Sequence, residues 1–221
     1  MPHSFAHTFR TRLNFLFVLA SAALVASALP AHAQFGAPAT TQVHDASALH
    51  PPAGSRVAIV EFADLECPDC AAAYPMVRDA VAKYKIPLVY HDFPLPFHNW
   101  SFFAAVNARW FDAKNKKLGE DYRAYIFTNQ RSIKTPADLT ASTQTFAKDH
   151  KLLFPHNPDP KGLLAAAVKA DYALGQRIGV EHTPTIWVVT AGTKGAPFIE
   201  VLDKNRLFQM VEQALAKANG R

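Results

Sequence analysis

The only two cysteines of the chain, Cys67 and Cys70, stand three residues apart where a strand-like segment gives way to a helix-like one. Before them, Arg56 to Ala63 contains Val57-Ala58-Ile59-Val60, a short β-branched run of the kind that forms a buried strand. After them, Ala71, Tyr74, Val77, Val81 and Tyr84 recur at helical spacing. Pro68 suits the first turn of that helix, because its missing N–H would have had no intrahelical partner there. Pro75 falls inside the same helix and is expected to kink it.

This placement gives the two thiols unequal chemistry. A helix N-terminus turns unpaired N–H groups and a partial positive charge toward the first sulfur. Both favour the thiolate of Cys67, the species that attacks a disulfide. Cys70, one turn further in, is expected to be more buried and to resolve a mixed disulfide. Two other readings stay open on the residues alone. The pair could be a passive disulfide, although it closes too few residues to restrict the unfolded chain much. It could also supply two metal ligands, with His91 or His98 completing the set, but neither stands at a recognisable ligand spacing.

The rest of the chain supplies a setting. Ile86 to Phe93 reads as a second strand, closed by Pro94 and Pro96. Segments 98–116, 119–130, 136–150 and 161–178 read as helices, the last two separated by the Pro-rich stop Phe154 to Pro160. Thr185 to Thr190 and Phe198 to Leu202 then alternate as strands around the turn Ala191 to Gly195, and Asn205 to Ala218 closes as an amphipathic helix. The order is β-α-β, a helical block, then β-β-α. The expected fold class is α/β, with core segments 56–97 and 176–221 and a helical insertion over 98–175.

The first 33 residues read as an address. Arg10 and Arg12 stand in an acid-free start, Phe15 to Leu29 is almost wholly apolar, and Ala31-His32-Ala33 follows Pro30 as a cleavage signature. Cleavage before Gln34 would leave 21 Lys and Arg against 18 Asp and Glu, so the formal charge of +5 overstates the basicity of the mature chain. The apolar run is shorter than the roughly 20 residues of a spanning helix, so an uncleaved membrane anchor is the minor alternative. Export would place the thiols in an oxidising compartment such as a bacterial periplasm. Residues 34–55 lack apolar periodicity and read as a flexible leader. The densest basic cluster, Lys114, Lys116 and Lys117, reads as a solvated helix end, and no nucleic-acid partner is expected.

Taken together, Cys67-Pro68-Asp69-Cys70, Glu61 six residues before it, Pro75 within the helix, and Gly179-Val180-Glu181-His182-Thr183-Pro184-Thr185 resemble the DsbA-like thiol–disulfide oxidoreductases of the thioredoxin superfamily. The resemblance covers 56–218. It implies a thioredoxin fold with a helical insertion between the second and third core strands. It also implies a cis Thr183–Pro184 bond facing the cysteines and offering backbone groups to an extended substrate, with Glu61 as a buried acid that shuttles protons to Cys70. Phe93, Phe97, Trp100, Phe102 and Phe103 are either core or the lining of a groove for unfolded chains. Asp69 and Thr183 depart from the oxidase pattern. The carboxylate of Asp69, with Asp64 and Glu66 nearby, is expected to repel the Cys67 thiolate and so weaken the oxidant. The resemblance implies clients among reduced or misoxidised secreted proteins, a membrane quinone-linked thiol oxidase as electron partner, and no organic or metal cofactor. A reductase or isomerase using the same site is the alternative, and a Cys/His metal-binding module the more distant one.

Overall fold

The computed structural model describes residues 40–192 and 198–220. Strand β1 (Val57–Ala63) leads into helix α1 (Pro68–Tyr84), and strand β2 (Leu88–Asp92) follows. Four helices come next: α2 (Ser101–Lys114), α3 (Lys116–Asn129), α4 (Pro136–Asp149) and α5 (Leu163–Ile178). Strands β3 (Thr185–Thr190) and β4 (Phe198–Glu200) and helix α6 (Leu207–Asn219) complete the chain. The sheet order is β2-β1-β3-β4, with β2 parallel to β1, and β3 antiparallel to both β1 and β4. Cys67 and Cys70 therefore emerge from the end of a central strand.

Alternation along β1 assigns each face its own core. Val57 and Ile59 meet Ala73, Val77 and Ala80 of α1 and Met210, Val211 and Ala214 of α6. Ala58, Val60 and Phe62 point the other way, toward Trp187, Phe93 and Ile178. All seven residues of β1 are buried, so the strand reads as a near-continuous apolar run, as central strands covered on both faces do. The inserted helices share a third cluster, in which the Phe111, Tyr122 and Phe146 rings meet tilted or edge-on and which also takes in Trp100, Ile126, Phe127 and the two cysteines. The active-site end of α1 is thus packed against the insertion.

Two boundaries read from the sequence shift. The break placed between 175 and 176 falls inside α5, whose last turn belongs to the sheet core through the fully buried Ile178. The leader expected to be loose is packed over its described part. His44 N–H donates to Ile178 O at 2.8 Å, Asp45 pairs with Arg177, and Thr41 donates twice to the Glu200 carboxylate. Leu49 is completely buried in the Phe62–Trp187 core. Apolar periodicity could not show this, because the segment is held by hydrogen bonds, an ion pair and one fully buried apolar anchor. Helix α1 runs unbroken through Pro75. The expected signal segment 1–33 and most of the β3–β4 turn lie outside the described residues, among which no helix is long and apolar enough to cross a membrane.

Candidate active site

Cys67 is the N-cap of α1 in extended backbone geometry, and Pro68 occupies the first helical position. Ordinary N-caps spend a side-chain oxygen on the first free N–H groups. Cys67 makes no such bond, and the Asp69 and Cys70 N–H groups of the first turn favour its thiolate. Its Sγ lies 3.3 Å from the Thr183 carbonyl oxygen, to which the thiol donates, and the Thr183–Pro184 peptide bond is cis. Cys70 is fully buried, and its sulfur accepts from Asp64 N–H at 3.4 Å. Both cysteines are free thiols here.

The surroundings push the two thiols apart in acidity. The Cys70 thiol, helped by the Cys70 and Asp69 backbone N–H groups, lowers the Cys67 pKa to about 6 against burial. Burial and the adjacent Cys67 sulfur push Cys70 well above the ordinary thiol range. The shifts favour a thiolate at Cys67 and a protonated thiol at Cys70, a difference suited to thiol exchange.

The acidic residues around the pair differ from expectation. The Asp69 side chain is 79% exposed with Lys204 Nζ 3.9 Å away, so water and a counter-cation screen it from the sulfur. Its backbone N–H instead lowers the Cys67 pKa. Asp64 and Glu66 are structural staples. Asp64 accepts from the Leu95 and Glu66 N–H groups at 2.6 and 2.7 Å and bonds His98 Nδ1 at 2.7 Å. Glu66 accepts from the N–H groups of Trp100 and Ser101 at 2.7 and 3.0 Å, and so caps the start of α2. Two carboxylates that appeared to threaten the thiolate therefore fix the loop that carries it.

Glu61 is buried on the α1 side of the sheet, and burial raises its pKa to about 7, opposed by the positive charge of Arg78. Thr183 is also buried, its hydroxyl without a geometric partner. His91 and His98 do not converge on the cysteines. His91 stacks on Phe62 and bonds Asp171 at 2.9 Å, whereas His98 is held by Asp64. Among the described residues no three His, Cys, Asp or Glu side chains are grouped to hold a metal ion. The aromatic set divides: Phe93 and Trp100 are core, and Phe97 and Phe103 are exposed. Beside Pro68, Ala71 and Ala72, a cleft of about 560 Å³ runs past Trp100 and Phe127 to Arg131 and Lys134.

One residue of the site escaped the sequence reading. Gln130, in a single 3-10 turn after α3, donates from Nε2 to the carbonyls of Leu65 and Cys67 at 2.8 and 3.1 Å. It ties the insertion to the cysteine loop. No local pattern marks it, because the contact spans more than 60 residues.

The thioredoxin family model matches residues 53–200, and the chain belongs to the thioredoxin family. Three solved structures show the nearer likeness. The alpha-DsbA1 of Wolbachia pipientis superposes with a TM-score of 0.62 at 14% identity, covering 76% of this chain and 90% of that one. ScsC of Proteus mirabilis gives 0.56 at 18%, covering 76% and 71%. DsbA2 of Pseudomonas aeruginosa gives 0.55 at 19%, covering 81% and 97%. At these identities the likeness is one of fold, and that fold is DsbA-like: a thioredoxin core with helices inserted between its second and third strands. A curated relative, the Na(+)/H(+) antiporter NhaA 3 of Salinispora tropica, is 27% identical over 172 residues, and the chain spans 26% of its length.

Proposed function

We propose that this chain is an exported thiol–disulfide oxidoreductase whose Cys67–Cys70 pair oxidises the thiols of secreted client proteins. The observation that carries the reading is the split in acidity at the start of α1, a thiolate-favouring Cys67 above a buried, proton-retaining Cys70. In the oxidised enzyme a client thiolate attacks the Cys67 sulfur. The Cys67–Cys70 bond breaks with its electron pair on Cys70, which takes a proton from Glu61. A second client thiolate then attacks the client sulfur of the mixed disulfide and releases Cys67 as thiolate. Two client thiols lose two electrons and the enzyme disulfide gains them. The Thr183 backbone lies beside the reacting sulfur, placed to pair with an extended client as an added strand would. Pro68 sets the helix start, and the Asp69 N–H helps hold the Cys67 thiolate.

The same acidity supports the oxidising direction. A thiolate stabilised in the reduced protein makes reduction more favourable, so the disulfide is the better oxidant. Reoxidation would fall to a membrane quinone-linked thiol oxidase. The test is equilibration of the mature protein with a glutathione redox series, read by thiol trapping. A potential near about −120 to −150 mV is expected. A value near about −200 to −270 mV would turn the assignment to a reductase or isomerase, and no exchange at all would sink both. Export is tested separately: a mature N-terminus at Gln34 in the periplasmic fraction supports it, and retention of 1–33 in the membrane fraction supports the anchor.

A further inference from the structure

Glu66 and Pro68, the two neighbours of Cys67 in the chain, both line the cleft of about 560 Å³ between α1 and the insertion. One wall is the first turn of α1, with Pro68, Ala71 and Ala72, and the facing wall is Trp100, Phe127 and Ile133. These three are buried and belong to the cluster that also holds the cysteines, so the wall is apolar and firmly packed. Among the described residues, none of the 179–185 loop lines the cleft. It is therefore a surface distinct from the strand-pairing edge at Thr183. Its volume lies within the range of about 300–1,000 Å³ found for sites that enclose a small-molecule-sized group.

The rim carries charge of one sign. Arg131 and Lys134 stand on either side of the buried Ile133, both exposed. Among the described residues neither side chain has an acidic partner, whereas Arg78, Arg109, Lys117 and Arg123 of the same region are all ion-paired. The acids of this surface are engaged elsewhere. Glu66 accepts through Oε2 from the Trp100 and Ser101 N–H groups, and Asp138 accepts from those of Lys134 and Thr135. Two cations over low-dielectric walls focus a positive potential into a cleft. They are also tied to the reacting residue. Gln130, immediately before Arg131, donates to the carbonyls of Leu65 and Cys67, and the Ile133 N–H closes the turn on Gln130 O at 3.1 Å. The turn that bears the charge is thus bonded to the Cys67 backbone itself.

We propose that this cleft is a client subsite selecting segments with an acidic side chain close to the reacting cysteine, and that Arg131 and Lys134 determine the preference. The inference rests on the proposed thiol-exchange activity and names a class of client for it. When a client thiolate attacks the Cys67 sulfur, the residues flanking its cysteine come against Glu66 and Pro68 and so enter the cleft. An apolar side chain there is covered by Trp100, Phe127 and Ile133. A carboxylate there meets the two cations, and the Arg131 guanidinium can hold it through two parallel bonds. Rim charges act on the rate of encounter, its salt dependence and the choice of partner more than on affinity. A basic segment is repelled by the same two residues, so the subsite rejects as well as accepts.

The test mixes the oxidised mature protein with peptides whose single cysteine is separated by one glycine on each side from Glu, Gln or Lys. Opening of the enzyme disulfide is read by thiol trapping, and each rate is divided by the peptide's thiolate fraction. At about 20 mM ionic strength the Glu peptide should react at least about three-fold faster than the Gln peptide, and the Lys peptide more slowly than either. At about 0.5 M salt the three rates should converge, because the charges are screened. Arg131→Gln combined with Lys134→Gln should abolish the preference. Neither side chain bonds another protein group, so the fold should stand. Lys114→Gln combined with Lys116→Gln removes the same charge at the other end of α3 and should keep the preference. Ala72→Glu, on the exposed wall of the cleft, should narrow it and serves should the first double variant fail to fold. Equal rates for the three peptides, or a preference that both double variants weaken alike, would overturn the subsite and leave the exchange activity in place. A wild-type dimer that the Arg131 and Lys134 substitutions dissolve would give the cleft to a second copy of the chain and overturn it as well. Failure of every peptide to open the wild-type disulfide would overturn the activity itself, and the subsite with it.

Discussion

At the scale of single residues, the acidity of Cys67 is set by short-range donors and not by the formal charges that surround it in sequence. The Cys70 thiol is the largest of those donors. A hydrogen bond to a charged group contributes about 1.5–3 kcal/mol, and one pKa unit is about 1.4 kcal/mol. Cys70→Ala should therefore raise the Cys67 pKa by about one unit or more, measured from the ultraviolet absorbance of the thiolate against pH. The companion substitution separates the two accounts of this site. Asp69→Asn removes the charge that sequence logic placed against the thiolate, yet that carboxylate is exposed beside Lys204. Exposed charges contribute little, so Asp69→Asn should shift Cys67 by less than about half a unit. A downward shift of a full unit would restore the repulsion argument.

At the scale of elements, the seating of α5 against the sheet depends on one close approach. A Cβ on Gly175 would come within 2.5 Å of the Phe93 ring and 3.0 Å of Phe62. Phe93 is pinned in turn by stacking on Tyr172 and by its edge contact with Phe62. Overpacking a core of this kind costs about 1–3 kcal/mol, so Gly175→Ala should lower the urea midpoint with the slope unchanged, by an amount in that range. These contacts also mark how far the sequence could be read. The strands and helices were legible because their apolar residues repeat at 2 or 3.6, and the cysteine pair because Pro68 marks the helix start. Leu49 and Gln130 were not legible. Each does its work through one contact far away in sequence: Leu49 in the Phe62–Trp187 core, Gln130 on the carbonyls of Leu65 and Cys67. The roles of Asp64 and Glu66 were misjudged for a related reason: a carboxylate reads as charge in sequence, whereas here each spends its lone pairs on backbone N–H groups.

At the scale of the whole molecule, the low Cys67 pKa couples folding, redox state and pH. The ordinary value of 9.0 falls to about 6 in the folded, reduced protein. A group whose folded pKa is depressed stabilises the folded state above its unfolded pKa, and that stability is lost as pH falls through the folded pKa. The reduced protein therefore gains stability between about pH 6 and 9, by about 1.4 kcal/mol per unit, or roughly 4 kcal/mol across the window. The oxidised protein has no Cys67 thiol to ionise and gains nothing from this source. Glu61 works oppositely: its raised pKa costs stability from about pH 4.5 to 7. It does so in both redox states, so it largely cancels from their difference. The potential should record what is left. Below about pH 6 reduction takes up two protons with two electrons, a slope of about 59 mV per pH unit. Above it only Cys70 takes a proton, because burial and the neighbouring sulfur keep that thiol protonated, and the slope should halve to about 30 mV per unit. The pH at which the potential bends is thus a direct reading of the Cys67 pKa in the intact molecule. A bend near pH 6 is expected. A straight line of the steeper slope up to pH 8.5 would mean that the helix start and the Cys70 thiol do not together hold a thiolate.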